Sequence, residues 1–129
     1  MAEGVQVVQG AYEAFGRGDI EAVLGALSED VDWSVTEAIP HGGDFRGRDE
    51  VGRFFQGIGE NWEEGFSVEV EEMIDAGDQV VTQGRASGTL RNGGDEASYG
   101  FAHVFTVRDG QIVRFREYVD PDATLRGLS

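Results

Sequence analysis

The sequence predicts an α+β architecture, with one curved, mostly antiparallel sheet and its helices gathered on one face. Three observations carry this. Apolar residues recur at helical spacing through the first half of the chain. From about Phe66 the period changes to two. Short turns at Gly77-Asp78, Asn92-Gly93-Gly94 and Asp109-Gly110 punctuate that second half. No internal repeat, low-complexity tract or linker interrupts the pattern, so residues 1–129 are expected to form a single domain.

Val5, Val8, Tyr12 and Phe15 lie on one stripe of a first helix, which Gly16 and Gly18 stop. Asp19 can cap the next helix, whose inward face is Ile20, Val23, Leu24 and Leu27. Val31, Trp33 and Val35 alternate with Asp32 and Ser34, the period of a strand. The stretch Ile39-Pro40-His41-Gly42-Gly43 then reads as a loop. Asp49 or its neighbours open a third helix with Val51, Phe54, Phe55 and Ile58 inward. Four strands follow, beginning with Phe66, Val68 and Val70 and continuing through Gln79 to Leu90, Ala97 to Val107 and Gln111 to Val119. Asp120-Pro121 ends the last of them.

The register of the final hairpin decides which residues share a face. A three-residue loop, Arg108-Asp109-Gly110, pairs Val107 with Gln111, His103 with Phe115 and Phe101 with Glu117. One face then holds Tyr99, Phe101, His103, Phe105, Val113, Phe115, Glu117 and Val119. A strict two-residue turn would set Glu117 opposite Ala102 and send His103 to the other face. The three-residue loop gives the more apolar face and is the expected one. Two polar groups, His103 and Glu117, then sit among aromatic rings.

Composition narrows the function classes. Forty per cent of the 129 residues are apolar, with eight Phe and two Trp, which excludes disorder. With no cysteine there is no disulfide scaffold, thiolate metal site or cysteine nucleophile. No apolar run approaches the ~18 residues of a membrane span, and the N-terminus lacks a basic-then-apolar leader, so a cytoplasmic location is the expectation. Twenty-five acidic residues against ten basic ones give a net charge of −15 at pH 7. A field of that sign repels phosphate backbones and anionic lipid, so neither nucleic acid nor a membrane is an expected partner. All ten basic residues are Arg, consistent either with a halophile's solubility device or with a GC-rich genome.

Several segments in order resemble a known family. They are Tyr12-Glu13-Ala14-Phe15-x-x-Gly18-Asp19, Leu27-Ser28-Glu29-Asp30-Val31-Asp32-Trp33 and Phe45-Arg46-Gly47-Arg48-Asp49-Glu50-Val51. The ending His103-Val104-Phe105-x-Val107-x-Asp109-Gly110-x-Ile112-Val113, with Phe115-Arg116-Glu117-Tyr118-Val119-Asp120, fits the same pattern. Together they resemble the SnoaL-like branch of the nuclear transport factor two-like superfamily. That resemblance implies a cystatin-like, cone-shaped barrel, in which a strongly curved sheet wraps three helices around a deep apolar pocket. It also implies a homodimer through the sheet. It is specific for fold and unspecific for activity, since this fold hosts isomerases, cyclases, hydrolases and non-enzymes.

The resemblance also suggests roles for particular residues. Polyketide cyclases of the branch use an inward carboxylate on the last strand as acid/base, beside an inward His on the strand before. Glu117 and His103 fall at those places, Glu replacing the usual Asp. In limonene epoxide hydrolase-like members an Arg links two Asp residues that activate water. Arg85 and Glu117 match the Arg and one carboxylate, while Ser87 stands at the second Asp, and the water-holding Tyr and Asn fall near Trp33 and Val35. Ketosteroid isomerase fits less well. Its base falls near Trp33 to Val35, where no inward carboxylate is evident, its oxyanion-hole Asp position holds His103, and Tyr12 is one residue out of register.

The chemistry of these residue types supports one leading reading. A carboxylate facing an apolar pocket loses hydration, which favours its protonated form and suits it to proton transfer. Glu117 as base and His103 as donor would suffice to move a proton alpha to a carbonyl, with Arg85 orienting either Glu117 or a substrate oxygen; His103 could equally be a relay to Glu117 or a histidine hydrogen-bonded in the core. The alternative is that Glu117 simply pairs with Arg85 or Arg116. Trp33, Phe54, Phe55, Tyr99, Phe101, Phe115 and Val119 are the expected walls, with Tyr12 and Ser87 adding hydroxyls. His41 either shapes the pocket mouth or lies in a surface loop. No His or carboxylate spacing suits a metal, and no Gly-rich loop has the setting of a phosphate site, so no cofactor is expected. The expected function is therefore a cofactor-independent cyclase or isomerase acting on a small, mostly apolar carbonyl compound. A non-catalytic carrier of a small apolar ligand, a homodimeric assembly domain and an epoxide hydrolase are the alternatives.

Overall fold

The computed structural model describes residues 2–36, 39, 41–91, 93–94 and 96–119. Helix α1 spans Ala2–Gly16. The Asp19 carboxylate then caps α2 (Ile20–Gly25), accepting the Ala22 N–H at 3.1 Å. Strand β1 (Leu27–Val35) follows, then β2 (Gly43–Arg46) and helix α3 (Gly47–Asn61). Four longer strands complete the chain: β3 (Ser67–Ala76), β4 (Gln79–Thr89), β5 (Glu96–Arg108) and β6 (Gln111–Val119). Expectations resting on Pro40, Asn92 and Asp120-Pro121 lie outside the described residues.

The six strands form one sheet in the order β2-β1-β6-β5-β4-β3. All pairs are antiparallel except β1 with β6, which run parallel. The architecture is the expected α+β cone, but among the described residues β2 and β3 are the edges of the sheet, which is open and not a closed barrel. Helix α1 packs across β3 to β6, and α3 packs on β1 and β2. Arg48 fastens α3 to the sheet, its Nε and Nη2 donating to the Leu27 carbonyl at 2.9 and 2.7 Å.

Three details differ from the sequence reading. Leu27 opens β1, opposite Ile112, and does not extend the face of α2. Strand β2 is only four residues long, too short for alternation to be seen. In the final hairpin, Asp109 and Gly110 have φ of 53° and 76°, the left-handed pair of a two-residue turn, which pairs Arg108 with Gln111. A bulge between Ile112 and Arg114 then adds one residue to β6. That extra residue sets His103 opposite Glu117, Phe105 opposite Phe115 and Phe101 opposite Val119. It also buries Ile112 fully, where Val113 was expected.

A second irregularity shapes β4. The β3–β4 ladder shifts register between Val70 and Glu72, and the backbone of Glu69 crowds Gly84. A Cβ at Gly84 would collide with the Glu69 carbonyl oxygen and come within 2.9 Å of the Phe101 ring. By contrast, a Cβ at Gly10, within α1, meets nothing within 4 Å. Gly84→Ala is therefore expected to lower stability by about 1–3 kcal/mol through overpacking. Gly10→Ala is expected to raise it by roughly 0.5–1 kcal/mol through helix propensity. Urea unfolding midpoints of the two variants provide the comparison.

Candidate functional site

The concave face of the sheet and the helices enclose a cavity of about 70 Å³. Its walls are mostly aromatic: Tyr12 and Phe15 from α1, Trp33 from β1, Phe54 and Phe55 from α3, and Tyr99, Phe105 and Phe115 from β5 and β6. Trp33 stacks on Phe115 with ring centroids 4.0 Å apart, a contact made possible by the parallel pairing of β1 with β6. His41, His103 and Glu117 also line the cavity, and no arginine does so among the described residues.

A continuous chain of side-chain hydrogen bonds crosses this face. His103 Nε2 lies 2.6 Å from Glu117 Oε2, with the two side chains only 7% and 8% exposed. His103 Nδ1 lies 2.6 Å from the Tyr12 hydroxyl, which lies 2.7 Å from the Thr82 hydroxyl. One assignment satisfies every member with His103 neutral. Thr82 donates to Tyr12, Tyr12 to Nδ1, and the Nε2–H to the ionised Glu117. Phe101 stacks on the His103 ring at 3.9 Å and fixes its plane. Burial raises the Tyr12 pKa above the ordinary phenol value, the Thr82 hydrogen bond opposes that shift, and the Glu117 charge adds to it.

Glu117 Oε1 is the exception, being buried with no hydrogen-bond partner among the described residues. A buried carboxylate oxygen left without a donor is costly and is the natural point for a ligand proton to approach. The charge of Glu117 is felt around the cavity. It reinforces the upward shift that burial imposes on Tyr99. It opposes the downward shift that burial imposes on His41, which falls from 6.5 to about 4.

The structure brings most of the expected residues together but not all. Tyr12, Trp33, Phe54, Phe55, Tyr99, Phe115, His103 and Glu117 line one cavity. Phe101 buttresses it through His103, and Val119 packs against the same core opposite Phe101. Arg85 does not join them, because β4 turns Val80, Thr82, Gly84 and Ala86 inward and leaves Arg85 exposed, donating to the Ser98 hydroxyl at 3.1 Å. Ser87 shares that outer parity and lies 3.4 Å from the Ser67 hydroxyl. An Arg linking two carboxylates at water is thus not assembled from Arg85, Ser87 and Glu117. Arg116 does not reach Glu117 either and instead binds Asp32 at 3.0 Å, holding that carboxyl below the ordinary carboxylate range. Of the roles open to His103, the geometry fits a relay to Glu117 and not a direct donor to substrate, since both its ring nitrogens are occupied. Thr82 and Trp62 went unrecognised in the sequence. The inward parity of β4 would have found Thr82, while Trp62 beyond α3 carries no periodic signal.

The comparisons agree with this fold. The SnoaL-like domain profile matches residues 8–115. The chain belongs to the SnoaL-like family. Comparison with curated proteins finds no match. Among solved structures, this SnoaL-like chain is 32% identical to an NTF2-like protein from Burkholderia thailandensis, with a TM-score of 0.88 over 96% of this chain and 95% of that one. TerC, solved in a co-crystal with polyporic acid, is 27% identical with a TM-score of 0.84 over 97% of each chain. An epoxide hydrolase from M. tuberculosis is 22% identical with a TM-score of 0.80, over 98% of this chain and 90% of that one, and shares the fold. No helix among the described residues is long and apolar enough to cross a membrane, and none of their His, Asp and Glu clusters suits a metal ion.

His41 yields a pH prediction with a definite sign. Its Nδ1 accepts the Trp62 indole N–H at 3.0 Å, an arrangement open only to the neutral ring. The unfolded chain takes up a proton on this side chain near pH 6.5, the folded one only near pH 4. Its contribution is therefore complete above pH 6.5 and is lost as the pH falls toward 4, by about 3 kcal/mol. Unfolding free energies from urea titrations at pH 7 and pH 4 should show that much less decline in His41→Gln than in the wild type.

Proposed function

We propose that this SnoaL-like protein is a cofactor-independent acid/base enzyme of the cyclase or isomerase type, acting on a small, mostly apolar, uncharged carbonyl compound. One observation carries the reading: a buried carboxylate with one oxygen tied to a histidine relay and the other unpartnered beside an apolar cavity. In this reading Oε1 removes a proton alpha to the carbonyl, and the electron pair of the C–H bond moves into an enolate. Protonated Glu117 then returns the proton at another carbon, or the enolate carbon attacks a second carbonyl in the same molecule and Glu117 gives its proton to the alkoxide so formed. The relay through His103 and Tyr12 holds Oε2 in place, so Oε1 keeps its aim without solvent reorganisation.

The aromatic walls support a flat, apolar occupant. The absence of arginine from those walls among the described residues supports an uncharged one, since an anion would meet Glu117 with no counter-charge from them. The co-crystal of TerC with polyporic acid supports occupancy of this fold's interior by a small organic molecule. Epoxide hydrolysis is the weaker reading, because Arg85 and Ser87 face away from Glu117.

The test is hydrogen–deuterium exchange at the alpha carbons of small aryl ketones in D₂O, followed by proton NMR. The wild type should accelerate exchange over buffer, and Glu117→Gln should lower that rate by about 10²–10⁴-fold while keeping the native circular dichroism. Tyr12→Phe, which removes the hydroxyl hydrogen-bonded to His103, should produce a smaller loss. Exchange equal in wild type and Glu117→Gln would overturn the proposal and leave a ligand carrier.

A further inference from the structure

An enolate formed beside Glu117 needs a hydrogen-bond donor at its oxygen, and the relay supplies none. His103 uses Nε2 on Glu117 and Nδ1 on Tyr12, and Tyr12 is engaged by His103 and Thr82. The Trp33 indole N–H is buried and unpartnered among the described residues, on a ring packed against Phe54, Phe55 and Phe115 with centroids 4.0–5.8 Å apart. The Tyr99 hydroxyl makes no hydrogen bond among the described residues, and nothing fixes the direction of its proton.

His41 differs from all of these. It is 6% exposed and lines the same cavity as Glu117. Phe54, Trp62 and Phe66 meet its ring edge-on at 5.4–6.2 Å and hold it in place. An indole nitrogen can only donate, so the 3.0 Å bond from Trp62 Nε1 requires His41 Nδ1 to be bare. The proton of the neutral ring must then sit on Nε2, for which the described residues offer no acceptor. The orientation of this donor is thus set by a residue outside the cavity wall.

We propose that His41 binds the substrate's carbonyl oxygen through its Nε2–H, with Trp62 as the positioning residue that fixes the tautomer. This rests on the carbonyl-substrate reading above and adds the group that receives the developing charge. Because the ring is neutral, it stabilises the enolate oxygen by hydrogen bonding and keeps its own proton. The electron pair stays on the enolate, and the only proton transferred is the one Glu117 takes and returns. Burial, which holds His41 neutral across the ordinary pH range, agrees with the geometry. The charged group facing it is Glu117, and the other titratable side chains on the cavity are Tyr12, Tyr99 and His103.

Two measurements on the full chain test this. The first is a long-range ¹⁵N spectrum of the imidazoles at pH 7. His41 should be wholly the Nε2–H tautomer in wild type and should mix with the Nδ1–H form in Trp62→Phe. An imidazolium or Nδ1–H ring in the wild type would overturn the proposal. The second uses acetophenone labelled with ¹³C at the carbonyl. Its bound resonance should lie downfield of its position in an apolar solvent in both wild type and Glu117→Gln. The shift should disappear in His41→Phe, with binding about tenfold weaker. Loss of the shift in Tyr99→Phe instead, an unshifted carbonyl in wild type, or no binding at millimolar concentration would each overturn it. A shift that survives while Glu117→Gln leaves exchange unaltered would uphold the His41 donor and reject the acid/base reading.

Discussion

The site depends on the direct pairing of His103 with Glu117 across β5 and β6. Two ionisable side chains less than one-tenth exposed are tolerable only when their hydrogen bonds are nearly complete. Here the chain from Thr82 through Tyr12 and His103 to Glu117 draws one residue each from β4, α1, β5 and β6. It therefore also fixes how α1 seats on the sheet. Had α1 turned or slid by a residue, Tyr12 would leave His103 Nδ1 unpartnered in an aromatic interior. The apolar stripe of α1 drives its burial, and this polar contact selects its register.

That pairing depends in turn on a bulge. A two-residue Asp109-Gly110 turn alone would place Glu117 opposite Ala102 and turn the carboxylate and the histidine to opposite faces. The extra residue in β6 between Ile112 and Arg114 restores their common side. Bulges carry this kind of re-aiming function because the side-chain period of a strand is two, so one inserted residue exchanges the faces beyond it. In this protein the insertion separates a structural half of the hairpin, where Ile112 packs, from a chemical half containing Phe115 and Glu117.

The sequence was most legible where a local signal existed. The helical stripe through Tyr12, the Asp19 cap, the two-residue period after Phe66 and the Asp-Gly turn each leave a mark within a few residues. They place the elements, and with the family resemblance they place Glu117 and His103 on the inner face. The turn length was not legible, because a loop of three and a turn of two followed by a bulge give the same facing for most of β6. Arg85 was drawn toward the site by a resemblance, yet the parity of Val80, Thr82 and Ala86 turns it outward. His41 and Trp62 meet over 21 positions with no periodicity to join them, so their bond is visible only in three dimensions.

Charge gives the arrangement its selectivity under the proposed function. The chain carries −15 overall, and its cavity holds one buried acid with no arginine beside it among the described residues. The exterior field slows the approach of an anion, and the interior then penalises its entry, because Glu117 would face it across a medium of low dielectric. A neutral carbonyl compound meets neither barrier. Its negative charge arises only after proton transfer, at which point the charge of Glu117 has been cancelled by the proton it took. The cavity thus carries one negative charge at each stage, on Glu117 before the transfer and on the enolate oxygen after it. A neutral donor such as the His41 Nε2–H suits this sequence better than a cation would. A cation beside Glu117 would stabilise the ionised carboxylate before reaction and so weaken the base.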